Sequence, residues 1–138
     1  MNLDHDRMRN KISDIQRSLD RLKRLKAEGR KKFLTDEDCQ DIARSRLLSA
    51  IEAALNICFH INARKLKKVP EDYGDCFMSL GQANLIDPAL AARLADMARF
   101  RNRLVHLYWD IDYSAVYDII ENHLVDLENF SVRAAGLL

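Results

Sequence analysis

Apolar residues recur at steps of three and four along nearly the whole chain, and that spacing admits amphipathic helices and little else. Ile12, Ile15, Leu19, Leu22 and Leu25 form the first stripe, set between charged residues, and predict a helix over 4–28 that ends near Gly29. Thr35 followed by Asp38 has the form of a capping box, with Asp where Glu or Gln is usual, and predicts a second helix over 36–62. Its apolar residues are Ile42, Leu47, Leu48, Ile51, Leu55, Cys58, Phe59 and Ile61, joined by Ala43, Ala50, Ala53 and Ala54. A face so wide and so rich in alanine belongs at the centre of a bundle or against a second chain.

The run Arg64-Lys65-Leu66-Lys67-Lys68-Val69-Pro70 breaks the period and reads as a basic connector. A short helix is expected over 73–83, with Phe77 and Leu80 inward and Gly81 and Asn84 ending it. Asp87 as N-cap and Pro88 at the first helical position then open a helix over 88–106. Leu90, Leu94, Met97, Arg101 and Leu104 share one face of it, and Arg101 is the anomaly on that face. Asp112 caps a last helix over 113–131, whose apolar residues are Val116, Ile119, Ile120, Leu124, Leu127 and Phe130. With only 4 Gly and 2 Pro in 138 residues, the expectation is one all-α domain over 1–138, a bundle of about five helices.

No run of about 18 uncharged apolar residues exists to cross a bilayer, and the first residues lack the apolar stretch of a secretion signal, so a soluble cytoplasmic protein without a membrane partner is expected. Cys39, Cys58 and Cys76 are odd in number and widely spaced, which suggests neither a disulfide framework nor a metal knuckle; they read as reduced thiols in or near the core. His60 lies two residues from Cys58, and helical residues two apart do not share a face, so a metal pair is not expected there. Charge is uneven. Residues 1–34 carry 11 basic and 5 acidic side chains, while residues 110–138 carry 1 and 6. A basic first third can attract phosphate or face the acidic last helix, in its own chain or in a partner; two solvated faces of opposite sign are the plainer alternative.

The densest polar and aromatic cluster is Phe100-Arg101-Asn102-Arg103-Leu104-Val105-His106-Leu107-Tyr108-Trp109-Asp110. If helical geometry persists, Asn102 and His106 lie one turn apart on one face, and Arg101 and Tyr108 two turns apart on nearly the same face. Arg101 and His106, five apart, diverge by about 140°. Either the helix distorts at its end, or a two-fold pairing of chains brings the groups of two copies into one cleft. The residue types suit phosphodiester chemistry. An imidazole titrates near neutral pH, and a guanidinium holds phosphate by two parallel bonds without losing its charge. On RNA that pair suffices: a base removes the 2′-hydroxyl proton, the oxygen attacks the adjacent phosphate, and the arginine stabilises the added negative charge.

Arg101-x4-His106-x-Tyr108, within FRNRLVHLYWDID, resembles the R-x4-H-x-Y signature of HEPN-domain toxins of the HepT type. The segments RSRLLSAIEAALNICFHI and VPEDYGDCFMSLGQANLIDPALAARLADMARFRN resemble that family's central helix and its third and fourth helices, so the likeness covers about residues 35–130. The resemblance implies a HEPN-like helical bundle that forms homodimers through the central and motif-bearing helices, with the motif lining the cleft between chains. It implies a metal-independent ribonuclease toxin with no cofactor, acting on RNA and neutralised by a minimal nucleotidyltransferase, MntA, that transfers AMP to the motif tyrosine. Carried onto this sequence, Arg101 and His106 are catalytic, Asn102 positions the RNA or the histidine, and Tyr108 accepts AMP. Asn56 stands where the family often has an acidic residue.

Plainer readings stand beside these. Glu52, a charge in an apolar stretch, could reach the cleft or be solvated or paired. Arg101 could pair with an acid of the last helix, His106 could cap the end of its helix, and Tyr108 and Trp109 could be ordinary packing at a chain reversal, the reading adopted for Trp109. At the level of function, the alternatives to a toxin are a non-catalytic HEPN partner of a nucleotidyltransferase and a plain helical dimerisation module.

Overall fold

Each predicted stripe becomes helical; the differences are an added short helix, a break within the last one, and shifted helix ends. The structure, a computed structural model, describes residues 3–138 apart from the Tyr108 side chain. Its helices are α1 (His5–Glu28), α2 (Arg30–Thr35), α3 (Glu37–Ile61), α4 (Tyr73–Gln82), α5 (Pro88–His106), α6 (Tyr113–Asn122) and α7 (Leu124–Ala135). No strand occurs among the described residues, so the fold is all-α, with seven α-helices rather than five. No helix among them is long and apolar enough to cross a membrane.

The Asp4 carboxylate caps α1 by accepting from the Arg7 N–H, and Ile15, Leu19, Leu22 and Leu25 face inward as the spacing predicts. Gly29 then takes φ 94°, a conformation that favours glycine, and starts the unpredicted short helix α2. Phe33 is its buried anchor, packed on Tyr117 with ring centres 5.2 Å apart. The cap of α3 is Asp36, not Thr35: its carboxylate accepts from the Asp38 and Cys39 N–H groups, while the Thr35 hydroxyl turns back to the carbonyls of Lys31 and Lys32. Thr35 belongs to the end of α2, which leaves Asp36 as the first residue free of helical geometry.

α3 packs against each of the other six helices, and Ala43, Ala50, Ala53 and Ala54 are all buried, as a central helix requires. The expected break after residue 62 is instead a turn of π-helix, Asn62–Leu66. Asn62 is fully buried and its amide donates to the carbonyls of Cys58 (3.0 Å) and Cys76 (3.2 Å), fastening the widened turn to α4. All three cysteines are free and buried, and burial pushes the Cys58 thiol well above its ordinary range.

Asn84, at φ 57°, ends α4: the Leu85 N–H reaches the Leu80 carbonyl and the Asn84 N–H that of Gly81, a Schellman motif. Gly81 is not the terminator but a buried residue inside α4, where an added Cβ would fall 2.7 Å from that of Ala91. Asp87 and Pro88 open α5 as predicted. The predicted last helix is broken at His123 into α6 and α7 and runs on to Ala135. Asp126, almost wholly buried, holds the break by accepting from Arg93 Nε of α5 (3.0 Å) and contacting His123 Nδ1 (3.2 Å). The opposed charges of the chain's two ends meet within it, through Arg30–Asp118 (2.9 Å) and Lys23–Glu128.

Candidate functional site

Leu104 is fully buried and fixes which way the last turns of α5 face. Arg101, three residues earlier, is therefore drawn toward the bundle at its rim. Its Nε and Nη2 donate to Glu52 Oε1 of α3 at 3.2 and 3.0 Å, and its Nη1 lies 3.4 Å from Asn102 Oδ1. The guanidinium also sits over the Tyr73 ring of α4, 5.2 Å from its centre, and Tyr73 packs edge-on against Phe59 of α3. Three helices thus hold one arginine. Its side chain is 20% exposed and that of Glu52 44%, so the pair sits at the surface with one face open. Glu52 takes Nε and one N–H of Nη2 and Asn102 faces Nη1, so a phosphate would be met by the remaining N–H groups of Nη1 and Nη2.

Within the chain Arg101 pairs with Glu52 and not with an acid of the last helix, and Glu52 is a paired carboxylate at the motif. Asn102 is exposed beside a groove of about 340 Å³ shared with Asp72, Tyr73, Gly74, Ala98 and Arg99. Asn56 accepts from Arg7 Nη2 at 3.2 Å, toward the start of α1.

His106 is the last residue of α5 and is exposed. Leu107 leaves helical geometry (φ −124°, ψ 36°), and Tyr108–Asp110 form a 3-10 turn. The alignment of Arg101 with Tyr108 along one helix therefore does not arise; the Tyr108 side chain, the expected AMP acceptor, lies outside what the structure describes. The His106 ring makes no hydrogen bond among the described residues, so it does not serve as the helix cap. That work falls to Arg44 of α3, whose Nε donates to the Leu104 carbonyl at 3.0 Å, and to the Leu107 N–H, which reaches the Arg103 carbonyl. Arg44 was not singled out in the sequence; its role depends on how α3 crosses α5, for which no local signal exists. Trp109, read as ordinary packing at a chain reversal, is 71% exposed.

Within one chain, then, Arg101 turns toward the core and His106 into solvent, and Glu52, Asn102 and Tyr73 gather around the arginine alone. Among the described residues no group of three or more His, Cys, Asp or Glu side chains is placed to hold a metal ion.

The profile of the family described as "Ribonuclease HepT-like" matches residues 15–134, from within α1 almost to the end of α7. The chain is 33% identical over 121 residues to the "mRNA nuclease HepT" of Shewanella oneidensis, covering 88% of this chain and 90% of that one. It is 34% identical over 104 residues to the "tRNA nuclease HepT" of Aphanizomenon flos-aquae, covering 75% and 70%. A solved structure described as a tri-AMPylated Shewanella oneidensis HEPN toxin in complex with an MNT antitoxin superposes with a TM-score of 0.87 at 32% identity over 99% of both chains. The profile match spans the motif and every helix that positions it, and the chain belongs to the HepT-like ribonuclease family.

Proposed function

We propose that this chain is the toxin of a HepT/MntA-type toxin–antitoxin pair, a metal-independent endoribonuclease neutralised by a cognate nucleotidyltransferase that transfers AMP to Tyr108. The observation that carries the reading is the arginine at the end of α5, held at the bundle rim by Glu52 and Tyr73 and still 20% exposed, five residues before an exposed histidine. Relatives at 33% and 34% identity described as nucleases, and a structural neighbour described as an AMPylated toxin bound to its antitoxin, support it.

In this reading His106 is the general base. It takes the 2′-hydroxyl proton, the 2′ oxygen bonds to the adjacent phosphorus, and the 5′ oxygen departs and is protonated, leaving a 2′,3′-cyclic phosphate and a 5′-hydroxyl. Arg101 binds the phosphate through its remaining N–H groups and stabilises the charge that builds on it in the transition state. Asn102, bonded to Arg101, positions those groups or the substrate. RNA carries its own nucleophile, so the chemistry calls for a base and a cation and no more. Because Arg101 and His106 diverge on one α5, two copies of the chain pair and share a cleft in which the groups meet. AMP on Tyr108 adds bulk and negative charge where anionic RNA must dock.

The test is cleavage of mixed cellular RNA in EDTA by the unmodified chain, verified by intact mass, beside His106→Ala. Cyclic phosphate ends made by the first protein and not by the second are expected. Equal cleavage by both places the activity elsewhere, and none by either moves the chain to a non-catalytic partner of the nucleotidyltransferase.

A further inference from the structure

The face of α5 that carries His106 also carries two arginines for which the chemistry above has no use. The helix stays regular through His106, so Arg99, Asn102, Arg103 and His106 lie within about 100° of one another around its axis. All four are exposed, and Leu104, fully buried, points the opposite way and holds this face in solvent. Arg103 stands about 5 Å from the histidine along the axis and Arg99 about 10 Å, one turn and two turns back.

Neither arginine ties α5 to another helix by a hydrogen bond, in contrast to Arg30, Arg44, Arg93 and Arg101, each of which bonds across to a second helix. The Arg103 guanidinium makes no hydrogen bond or ion pair among the described residues. Arg99 bonds Asp96 of its own helix at 2.7 Å, and since both side chains are exposed the pair opens at little cost. Arg99 and Asn102 line the groove of about 340 Å³ at the start of α4, where a Cβ on Gly74 would come 3.1 Å from Arg99 Nη2. Asp72, the acid on the far side of that groove, is engaged in capping α4 through the Asp75 N–H.

We propose that Arg103 and Arg99 seat the two backbone phosphates next to the scissile one, so that the RNA strand leaves the cleft along α5 toward the groove at Gly74. This rests on the ribonuclease reading above and adds to it a substrate class: a strand with further phosphates on one side of the cut, gripped by its backbone. A guanidinium meets phosphate oxygens through paired N–H groups and reads no base there, so the ridge supplies affinity and register without sequence preference.

Binding of the full chain, free of AMP, is measured over a range of salt with single strands whose 2′ oxygens are methylated and cannot attack. Cleavage is measured on RNAs lengthened from a dinucleotide one nucleotide at a time, at either end. KM is expected to fall as the second and third phosphates are added at one end. Arg103→Ala is expected to remove the first of these gains and Arg99→Ala the second, each raising KM on long RNA about three- to tenfold and much less on the dinucleotide. Each should also lower the slope of log Kd against log salt by about 0.7, the share of one phosphate contact on a single strand, whereas Arg103→Lys keeps the charge and the slope. Slopes unchanged in both alanine variants, a penalty equal on dinucleotide and long RNA, or conversion of Arg103→Ala from dimer to monomer in sedimentation would overturn the proposal, the last by placing the ridge between chains. A lowered slope in a chain that cleaves nothing would sink the ribonuclease reading and leave the ridge intact; His106-dependent cleavage with unchanged slopes would do the reverse.

Discussion

Glu52→Ala removes the one carboxylate that fixes the Arg101 guanidinium and leaves the arginine itself in place. Two N–H groups, Nε at 3.2 Å and Nη2 at 3.0 Å, converge on Glu52 Oε1. A hydrogen bond to a charged group contributes about 1.5–3 kcal/mol, but solvent screens a pair whose acid is 44% exposed, so the expected loss of stability is about 1 kcal/mol, or about 3–5 °C in Tm. Activity should fall further than stability. Removing a preorganised donor to a developing charge outright costs about a hundred- to a thousandfold, and here the donor stays, stacked on Tyr73 but free to swing, so kcat is expected to drop about ten- to thirtyfold with KM little changed. Glu52→Gln keeps the shape and the acceptor oxygen and should lose much less. Steady-state cleavage of a fluorogenic RNA, with thermal melts alongside, measures both effects. In an Arg101→Ala background Glu52→Ala should cost nothing more, because the carboxylate acts only through the guanidinium. Losses that multiply in the double variant, or a gain of activity in Glu52→Ala, would refute this; a gain would mean that Glu52 holds the arginine away from the phosphate.

Gly81→Ala places a Cβ 2.7 Å from that of Ala91, and since neither methyl can rotate aside, α4 and α5 must part; a loss of about 1–3 kcal/mol is expected in thermal unfolding, and an unchanged Tm would deny so close a contact. His60 is held below its ordinary pKa by burial first and by the Arg7 and Arg64 charges next, against a smaller opposing effect of Asp4, while its Nε2 accepts the Asp4 N–H at 2.9 Å. The unfolded chain therefore binds the proton more readily, so this part of the stability is complete above about pH 6.5 and lost as pH falls through the folded value; His60→Gln should flatten the acid side of the Tm against pH curve, and an unaltered slope would exclude His60 as its source. Arg101→Lys keeps the charge without the planar fork and should cleave RNA at least about tenfold more slowly; full activity would remove the phosphate-clamp role.

What the sequence made legible is what depends on neighbours along the chain. Asp87-Pro88 and Asp112 cap where they were expected because a cap needs only its own next three residues. Arg101 and Glu52 stood out as charges on apolar faces, and they are the pair that meets at the motif. Contacts between helices were not legible. His123 breaks the last helix because Asp126 is shared with Arg93 of α5, and Asn62 widens the end of α3 because the Cys76 carbonyl of α4 is there to meet it. Arg44 reaches the end of α5 through the same kind of contact. The exposure of Trp109 was missed for the converse reason: an aromatic residue at a chain reversal looks identical in sequence whether it turns in or out.

The direction in which the two motif groups leave α5 decides between the two ways of assembling a site from them. The helix runs without a break through His106, so distortion at its end does not bring Arg101 and His106 together. Five helical residues separate them by about 140°, and the observed surroundings agree, Arg101 against Glu52 and Tyr73, His106 in solvent. In the proposed shared cleft the arginine of one chain therefore serves the histidine of the other. Arg101→Ala and His106→Ala proteins should each be inactive, but mixed under conditions that let chains exchange they should recover about one quarter of the native rate. About half of randomly paired dimers are mixed, and each mixed dimer holds one intact Arg–His pair of the two. A site built within one chain gives no recovery at any mixing ratio, since every chain in the mixture lacks one of the two groups. Absence of recovery, with exchange verified by a mass-labelled partner, would therefore refute the shared cleft even if both single variants are as inactive as expected.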